Sequence, residues 1–258
     1  MNALSPATAA QDAPLRAQIE ASLRAASPEP IAGDVMALVV PGGTHPAAAE
    51  AAAAAYRLIE GEDFDTVLVV APSHDGHFGR LTICRADDYP SALGGVPVND
   101  ALRNELCDED DDIFLDDAGH YREEGIKAQL PFLQVALGEG FSVVPIVMGE
   151  ESTAFCRELG GAVGEVMYGR RALLVACADV LGAEGDALDR FADALTRYDV
   201  PELLHLLSSE TLRVDGCGPV VVAVLAAQAR GANCARLVRS IPPSGGQPGA
   251  LACALWRE

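Results

Sequence analysis

The 258-residue chain is poor in basic and aromatic residues. Lysine and arginine together number 18 against 38 aspartate and glutamate residues, which gives a formal net charge of −20, and only 5% of the residues are aromatic. A surface this acidic repels phosphate backbones and anionic lipid head groups, so we expect neither nucleic acid nor a membrane as a partner. Cations would be attracted, although an acidic surface more often serves solubility.

The chain also lacks long apolar runs, paired cysteine motifs and cofactor fingerprints. No apolar run reaches the roughly 18 residues of a membrane span, and the amino terminus has no basic start followed by an apolar segment, so we expect no signal peptide. The seven cysteines are scattered without a CxxC pair, which is typical of reduced thiols in a cytoplasmic protein. No Walker loop, GxSxG elbow or dinucleotide fingerprint is present.

What the chain does have is an alternation of apolar strands and helices. Buried strands are predicted at 35–40, 66–71, 142–148, 172–178, 236–240 and 250–256, and helices at 15–26, 46–59, 100–107, 123–137, 151–167, 186–196, 200–207 and 218–229. Strands that are apolar on both faces predict a three-layer α/β/α domain with a central mixed, mostly parallel sheet. We expect this domain at 31–258, after a helical extension at 1–30, with the acidic run at 108–112 in a solvated loop.

Polar residues follow three of these strands. They lie in the segments 41–45, 72–77 and 177–179, which contain His45, His74 and Asp179. Because ligands of open α/β sheets gather at the carboxyl ends of the strands, these segments predict the position of a site.

Two further groups are candidates for chemistry. His120, Glu123 and Glu124 would share one face of a helix. Cys217 stands at the start of a predicted helix, where the positive end of the helix dipole would favour a thiolate. Histidine, cysteine and carboxylate side chains together suit zinc, copper or iron. Each of these signals alone is weak, because a lone histidine or cysteine is more often a hydrogen-bonded or buried structural residue.

The order of the motifs is more specific than any one of them. Pro-Ser-His at 72–74 follows a buried strand, His-x-x-Glu at 120–123 precedes Gln-Leu-Pro-Phe-Leu-Gln at 129–134, and Cys217-Gly218 follows Asp179. From about Val35 to the carboxyl terminus this series resembles the Memo-like family, which in prokaryotes includes AmmeMemoRadiSam system protein B. The resemblance implies a fold like that of the non-haem-iron extradiol dioxygenases.

The chain departs from the family pattern at the implied metal site. Gly42 stands where the family has its first histidine, and Asp75 follows His74 where the family has a second histidine. A further family histidine is replaced by Glu124, and another is missing from the segment 181–184. The resemblance therefore implies that the fold is kept and that the metal site has lost several of its histidine residues.

Three functions remain open from the sequence. The first is an enzyme with a single iron or copper ion, the second is a protein that carries a metal without catalysis, and the third is a binding module or pseudoenzyme that holds a small molecule or peptide and no metal. The candidate metal ligands are His74, Cys217, Asp179, Glu124 and His45, and the candidate catalytic residues are His120 and Glu123.

Overall fold

A computed structural model describes the protein over residues 9–109, 112–209 and 211–258. Within these ranges the helices are α1 (Ala9–Ala25), α2 (Pro46–Arg57), α3 (Asp100–Glu109), α4 (Glu124–Ala136), α5 (Thr153–Val166), α6 (Ala187–Thr196), α7 (Val200–Leu207) and α8 (Cys217–Ala229). The strands are β1 (Asp34–Val40), β2 (Thr66–Pro72), β3 (Leu81–Ile83), β4 (Asp88–Tyr89), β5 (Val96–Pro97), β6 (Ile113–Leu115), β7 (Ser142–Met148), β8 (Ala172–Cys177), β9 (Asp179–Ala183), β10 (Leu212–Asp215), β11 (Cys234–Ile241) and β12 (Ala250–Arg257).

Eight of these strands form the central sheet, in the order β11-β12-β1-β8-β2-β7-β3-β6. The four central strands β1, β8, β2 and β7 are mutually parallel, while β12 and β3 join them antiparallel. The predicted α/β class with a mixed, mostly parallel sheet is therefore confirmed. In this register Val40 pairs with Cys177 and Pro72 with Met148, so the carboxyl ends of the four parallel strands meet at one edge.

The sheet separates two hydrophobic cores, and this explains why its strands are apolar throughout. In β2, Leu68 and Val70 face a core shared with α5 and α8, whereas Val67 and Val69 face a core shared with α2 and α4. Because successive side chains of a strand point to opposite faces, a strand covered on both sides needs apolar residues at every position. The helices thus form one layer on each face of the sheet.

The amino-terminal helix packs against the rest of the chain. In α1 the side chains of Ile19 and Leu23 are 4% and 1% exposed and belong to the core beneath α2 and α4. Residues 1–8 lie outside the described part of the chain, and the predicted boundary at residue 30 stays a prediction. None of the helices in the described ranges is both long enough and apolar enough to cross a bilayer.

The short strands differ from the sequence prediction. The pairs β3–β6, β4–β5 and β9–β10 fall in segments where the sequence predicts no strand. They have two to five residues each, and such runs are too short to show a period of apolar residues. The loop predicted at 108–112 begins later than expected, because α3 continues through Glu109; residues 110 and 111 lie outside the described ranges.

Two helices on one face of the sheet approach each other closely at glycines. A β-carbon added to Gly164 of α5 would lie 2.7 Å from the Cβ of Ala229, and one added to Gly160 would lie 2.8 Å from the Cβ of Leu225. The neighbouring Gly161 has nothing within 4 Å of the same position. Only the first two glycines are therefore required by the contact between α5 and α8.

This contact predicts opposite effects for two identical substitutions. Gly164→Ala should lower the free energy of unfolding by about 1–3 kcal/mol, because the added methyl group forces the two helices apart. Gly161→Ala should raise it by about 0.5–1 kcal/mol, because alanine loses less backbone freedom than glycine in a helix. Urea unfolding of both variants measures the difference, and equal effects would show that α5 and α8 do not pack as described.

Candidate functional site

His74 lies between two carboxylates at the carboxyl edge of the parallel strands. Its Nδ1 is 3.0 Å from Oε2 of Glu123, and its Nε2 is 2.9 Å from Oδ2 of Asp215. An ionised carboxylate only accepts hydrogen bonds, so both ring nitrogens donate and the ring carries both protons. The hydrogen bonds to Asp215 and Glu123 raise the pKa of His74 to about 10, against the opposing effect of its partial burial. The centre of the site is therefore an imidazolium cation.

Glu123 uses both of its oxygen atoms. The side chain is fully buried and occupies the N-cap of α4, where Oε1 accepts hydrogen bonds from the backbone N–H groups of Gly125 at 2.7 Å and Ile126 at 3.3 Å. Oε2 accepts from His74. The helix amino terminus and the imidazolium together compensate the buried negative charge. The predicted catalytic residue Glu123 is thus part of the group around His74.

Asp215 completes this group, and the sequence prediction missed it. It ends β10, whose antiparallel pairing with β9 places Asp215 opposite Asp179. It stands two residues before Cys217, in a segment where the cysteine is the only candidate that the sequence indicates. Because the position of Asp215 depends on the pairing of two short strands, no motif in the chain indicated its contact with His74.

Asp179 lies beside Gly42, the residue for which the resemblance implies a histidine in the family. A β-carbon on Gly42 would be 3.1 Å from Oδ2 of Asp179, 3.6 Å from the Cβ of Cys177 and 3.8 Å from the Cα of Gly125. The remaining cavity is about 10 Å³, which is room for about one water molecule. Burial raises the pKa of Asp179, although a hydrogen bond from the Gly43 backbone N–H opposes the shift. A side chain on residue 42 would therefore contact the Asp179 carboxylate, and the adjoining cavity is smaller than an imidazole ring.

His45 is the candidate that would replace the histidine absent at residue 42, and that role stays a prediction. It caps α2, with Nδ1 accepting a hydrogen bond from the Ala48 backbone N–H at 3.3 Å, so the ring hydrogen is on Nε2. Its Nε2 and the Oδ1 of Asp179 are both buried, and neither makes a hydrogen bond within the described residues. Each lies 3.4 Å from the position that a β-carbon would take on Gly43. A donor and an acceptor thus flank this glycine without partners.

The prediction of a thiolate at Cys217 is wrong. Its Sγ donates to the backbone carbonyl of Val214 at 3.1 Å, and burial together with the nearby charges of Glu151 and Asp215 raises the pKa of the thiol to about 12. The amino terminus of α8 gives its Gly218 N–H to the Glu151 carboxylate instead. The favourable end of the helix dipole therefore stabilises a carboxylate that no motif in the sequence indicates.

Two candidates lie outside the hydrogen-bonded group around His74. Glu124 is 76% exposed and pairs with Lys127 at 3.0 Å. His120 is buried, with Nδ1 accepting from the Tyr89 hydroxyl at 3.4 Å and Nε2 donating to the Thr82 carbonyl at 3.3 Å. Burial lowers the pKa of His120 to about 4. The acid–base role predicted for His120 is not tested by these contacts and stays a prediction.

The nitrogen and sulfur atoms of the predicted metal site already have other partners. Both nitrogens of His74 donate to carboxylates, the free lone pair of His45 accepts from a backbone N–H, and the thiol of Cys217 donates to a backbone carbonyl. In the described part of the chain, no three His, Cys, Asp or Glu side chains are disposed to hold one metal ion. In this arrangement the residues therefore do not fit an iron or copper ion. The binding of such an ion by the protein stays a prediction.

The fold and the site define a class of protein: a three-layer α/β/α domain with a polar centre at the carboxyl edge of its parallel strands. The sequence profile described as "Memo-like protein" matches residues 8–241, so the chain belongs to the Memo-like family. A MEMO1 family protein of Methanosarcina acetivorans is 29% identical over 181 residues, which are 67% of each chain. One from Thermoplasma acidophilum is 24% identical over 205 residues, covering 78% of this chain and 76% of that protein.

A solved structure supports the fold alone. The crystal structure of the uncharacterised protein JW3007 from Escherichia coli K12 superposes with a TM-score of 0.59 at 15% sequence identity, and it covers 85% of this chain and 99% of that one. At this identity the likeness carries no information about activity. The chemistry has to be argued from the residues of this chain.

The burial of His120 predicts a loss of stability in acid. Its pKa is 6.5 in the unfolded chain and about 4 in the folded protein, so between these values the unfolded state binds the extra proton and stability falls as the pH falls. Relative to His120→Gln, the wild type should lose roughly 2–3 kcal/mol more of its unfolding free energy between pH 7 and pH 4. Urea unfolding across this range measures the difference.

The exposed His205 on α7 provides the matched control. His205→Gln should follow the wild-type curve, because it removes an imidazole from the surface. If the curves of His120→Gln and the wild type run parallel, burial of a neutral His120 is refuted.

Proposed function

We propose that this Memo-like protein is a non-catalytic binding protein for a small molecule or peptide, and that its polar centre works without a metal ion. The observation that carries the proposal is the pair of hydrogen bonds from His74 to Glu123 and Asp215, at 3.0 and 2.9 Å. They make the imidazolium the cation of the site. A metal ion beside it would be repelled by that charge.

The crowding around Gly42 supports the same proposal. Gly42 and Gly125 face each other, with 3.7 Å between the Cα of Gly42 and the position of a β-carbon on Gly125. The loop after β1 and the first turn of α4 thus close over the space in which a further metal ligand would have to lie. The neighbouring cavity has room for about one water molecule. A larger ligand therefore has to bind at a different part of this edge of the sheet.

An apolar groove next to Gly43 supports the binding of such a ligand. The groove has a volume of about 440 Å³ and lies between α1, α2 and α4, with Ile19, Ala52 and Phe132 in its walls. This volume is within the range of small-molecule sites. Gly43 borders the groove, and the unpartnered Nε2 of His45 and Oδ1 of Asp179 flank that glycine. The ligand we propose has an apolar body that matches the walls of this groove.

The metal-free centre predicts the outcome of metal analysis. Protein produced anaerobically with added iron, copper and zinc, and then dialysed without a chelator, should contain well below one equivalent of each metal. Addition of Fe²⁺ or Cu⁺ should leave the melting temperature unchanged, because a ligand that does not bind the folded state does not stabilise it. Elemental analysis and thermal unfolding measure both quantities.

Three variants make this result decisive. His74→Gln and Cys217→Ser remove candidate ligands, and Cys234→Ser on β11 is the matched control for a cysteine outside the site. One equivalent of iron or copper that both site variants lose and the control retains would overturn the proposal. That result would establish the metal-dependent alternative.

The groove predicts binding of an apolar probe. N-phenyl-1-naphthylamine should bind saturably with increased fluorescence, and Thr44→Trp, which fills the groove from its wall, should weaken binding by about tenfold or more. Thr153→Trp places the same side chain at the exposed start of α5, on the other face of the sheet, and should leave the affinity unchanged. Equal loss in both variants, or no saturable binding, would contradict a ligand site in this groove.

A further inference from the structure

A second cavity lies at the opposite edge of the sheet, where the parallel strands begin. It has a volume of about 480 Å³. The residues around it come from the starts of β1 and β8, the end of β12, the segment before β2 and the residue that caps α8. This cavity is unrelated to the group around His74, and the proposed function does not use it.

Arg230 is the unusual residue of this cavity. It caps the carboxyl end of α8, and it is only 7% exposed. Its guanidinium donates to the backbone carbonyls of Met36 at 3.0 Å and Ala172 at 2.7 Å. These carbonyls are dipoles without a net charge. Across residues 9–109, 112–209 and 211–258, no carboxylate lies within salt-bridge distance of Arg230.

The other arginines of the cavity all have carboxylate partners. Arg257 pairs with Asp34 at 2.6 Å, Arg170 with Glu105 at 2.9 Å, and Arg171 with Asp65 at 2.6 Å. Arg230 is also the most deeply buried of the four arginines that line the cavity. A buried charge without a counter-charge is costly, so the Arg230 guanidinium favours an anion beside it.

The charge of Arg230 sets the charge of that anion. Among the described residues, Arg257 pairs with Asp34, Arg170 with Glu105 and Arg171 with Asp63 and Asp65, so Arg230 is the one arginine of the cavity without a carboxylate partner. Burial and the nearby Arg257 lower the pKa of Arg230 to about 10, so the guanidinium is still charged at neutral pH. A single negative charge balances the Arg230 guanidinium, whereas a doubly charged phosphate would be repelled more strongly by Asp34, Glu62 and Asp63 in the cavity wall.

The remaining walls are apolar. Ile31, Leu58 and Phe64 line the cavity together with Tyr168, whose side chain is 71% exposed. Carboxylates match the fork geometry of a guanidinium, and the apolar walls favour an apolar body on the same molecule. We infer that this cavity binds a small organic carboxylate, with its carboxylate group on Arg230 and its apolar body against Leu58, Phe64 and Tyr168.

Calorimetric titration of the full chain with sodium benzoate tests the inference. Benzoate should bind saturably and about tenfold or more tightly than benzamide, its neutral analogue, and than sulfate. Arg230→Lys should weaken benzoate binding by about tenfold or more, because lysine keeps the charge but loses the fork. Arg239→Lys is the matched control, and it should bind like the wild type. Arg239 lies on β11 away from the cavity and pairs with Glu50 of α2.

A second variant keeps the test valid if Arg230→Lys does not fold. Tyr168→Ala removes only an exposed ring from the cavity wall, and it should weaken benzoate binding by about threefold while leaving the fold intact. The inference is overturned if benzoate does not bind below about 10 mM, if benzamide or sulfate binds equally well, or if neither cavity variant changes the affinity.

Discussion

The imidazolium of His74 between Glu123 and Asp215 is the interaction on which this end of the molecule depends. It joins three separate segments: the loop after β2, the first turn of α4 and the end of β10. Glu123 is fully buried, and its charge is tolerated because it meets a cation on one oxygen and backbone N–H groups on the other. Removing one partner of a buried charge leaves the other uncompensated, which is far costlier than the loss of one hydrogen bond.

The two edges of the sheet handle charge in opposite ways. At the carboxyl edge, a histidine cation is held between carboxylates, and the groove beside it is apolar. At the amino edge, Arg230 has only backbone carbonyls as partners. In a chain with a net charge of −20, attraction of cations is expected anywhere on the surface, so a buried cation without a carboxylate is the more informative feature.

The sequence predicted the large elements and only part of the site. The strands β1, β2, β7 and β8 were predicted because short runs that are apolar at every position are typical of strands in the middle of a parallel sheet. The carboxyl ends of these strands meet at one edge, and His74 and Asp179 lie together there as expected. Asp215 was missed because its place depends on the pairing of β9 with β10. The thiolate predicted at Cys217 was wrong because burial, together with the charges of Glu151 and Asp215, raises the pKa of the thiol. Glu151, which is distant in sequence, also takes the N–H at the start of α8. Such contacts depend on side-chain directions, which motif spacing does not encode.

Membership of the Memo-like family describes the scaffold, and the chemistry has to be argued from the residues of this chain. Gly42 carries no imidazole, and the space beside it is narrow against Asp179 and Gly125. The buried Glu123 requires a positive charge beside it, and His74 supplies that charge when both of its nitrogens are protonated. Asp215 holds the second proton in place. In the metal-free centre that we propose, the crowding at Gly42 and the protonated state of His74 belong together, because the imidazolium supplies the positive charge that balances Glu123.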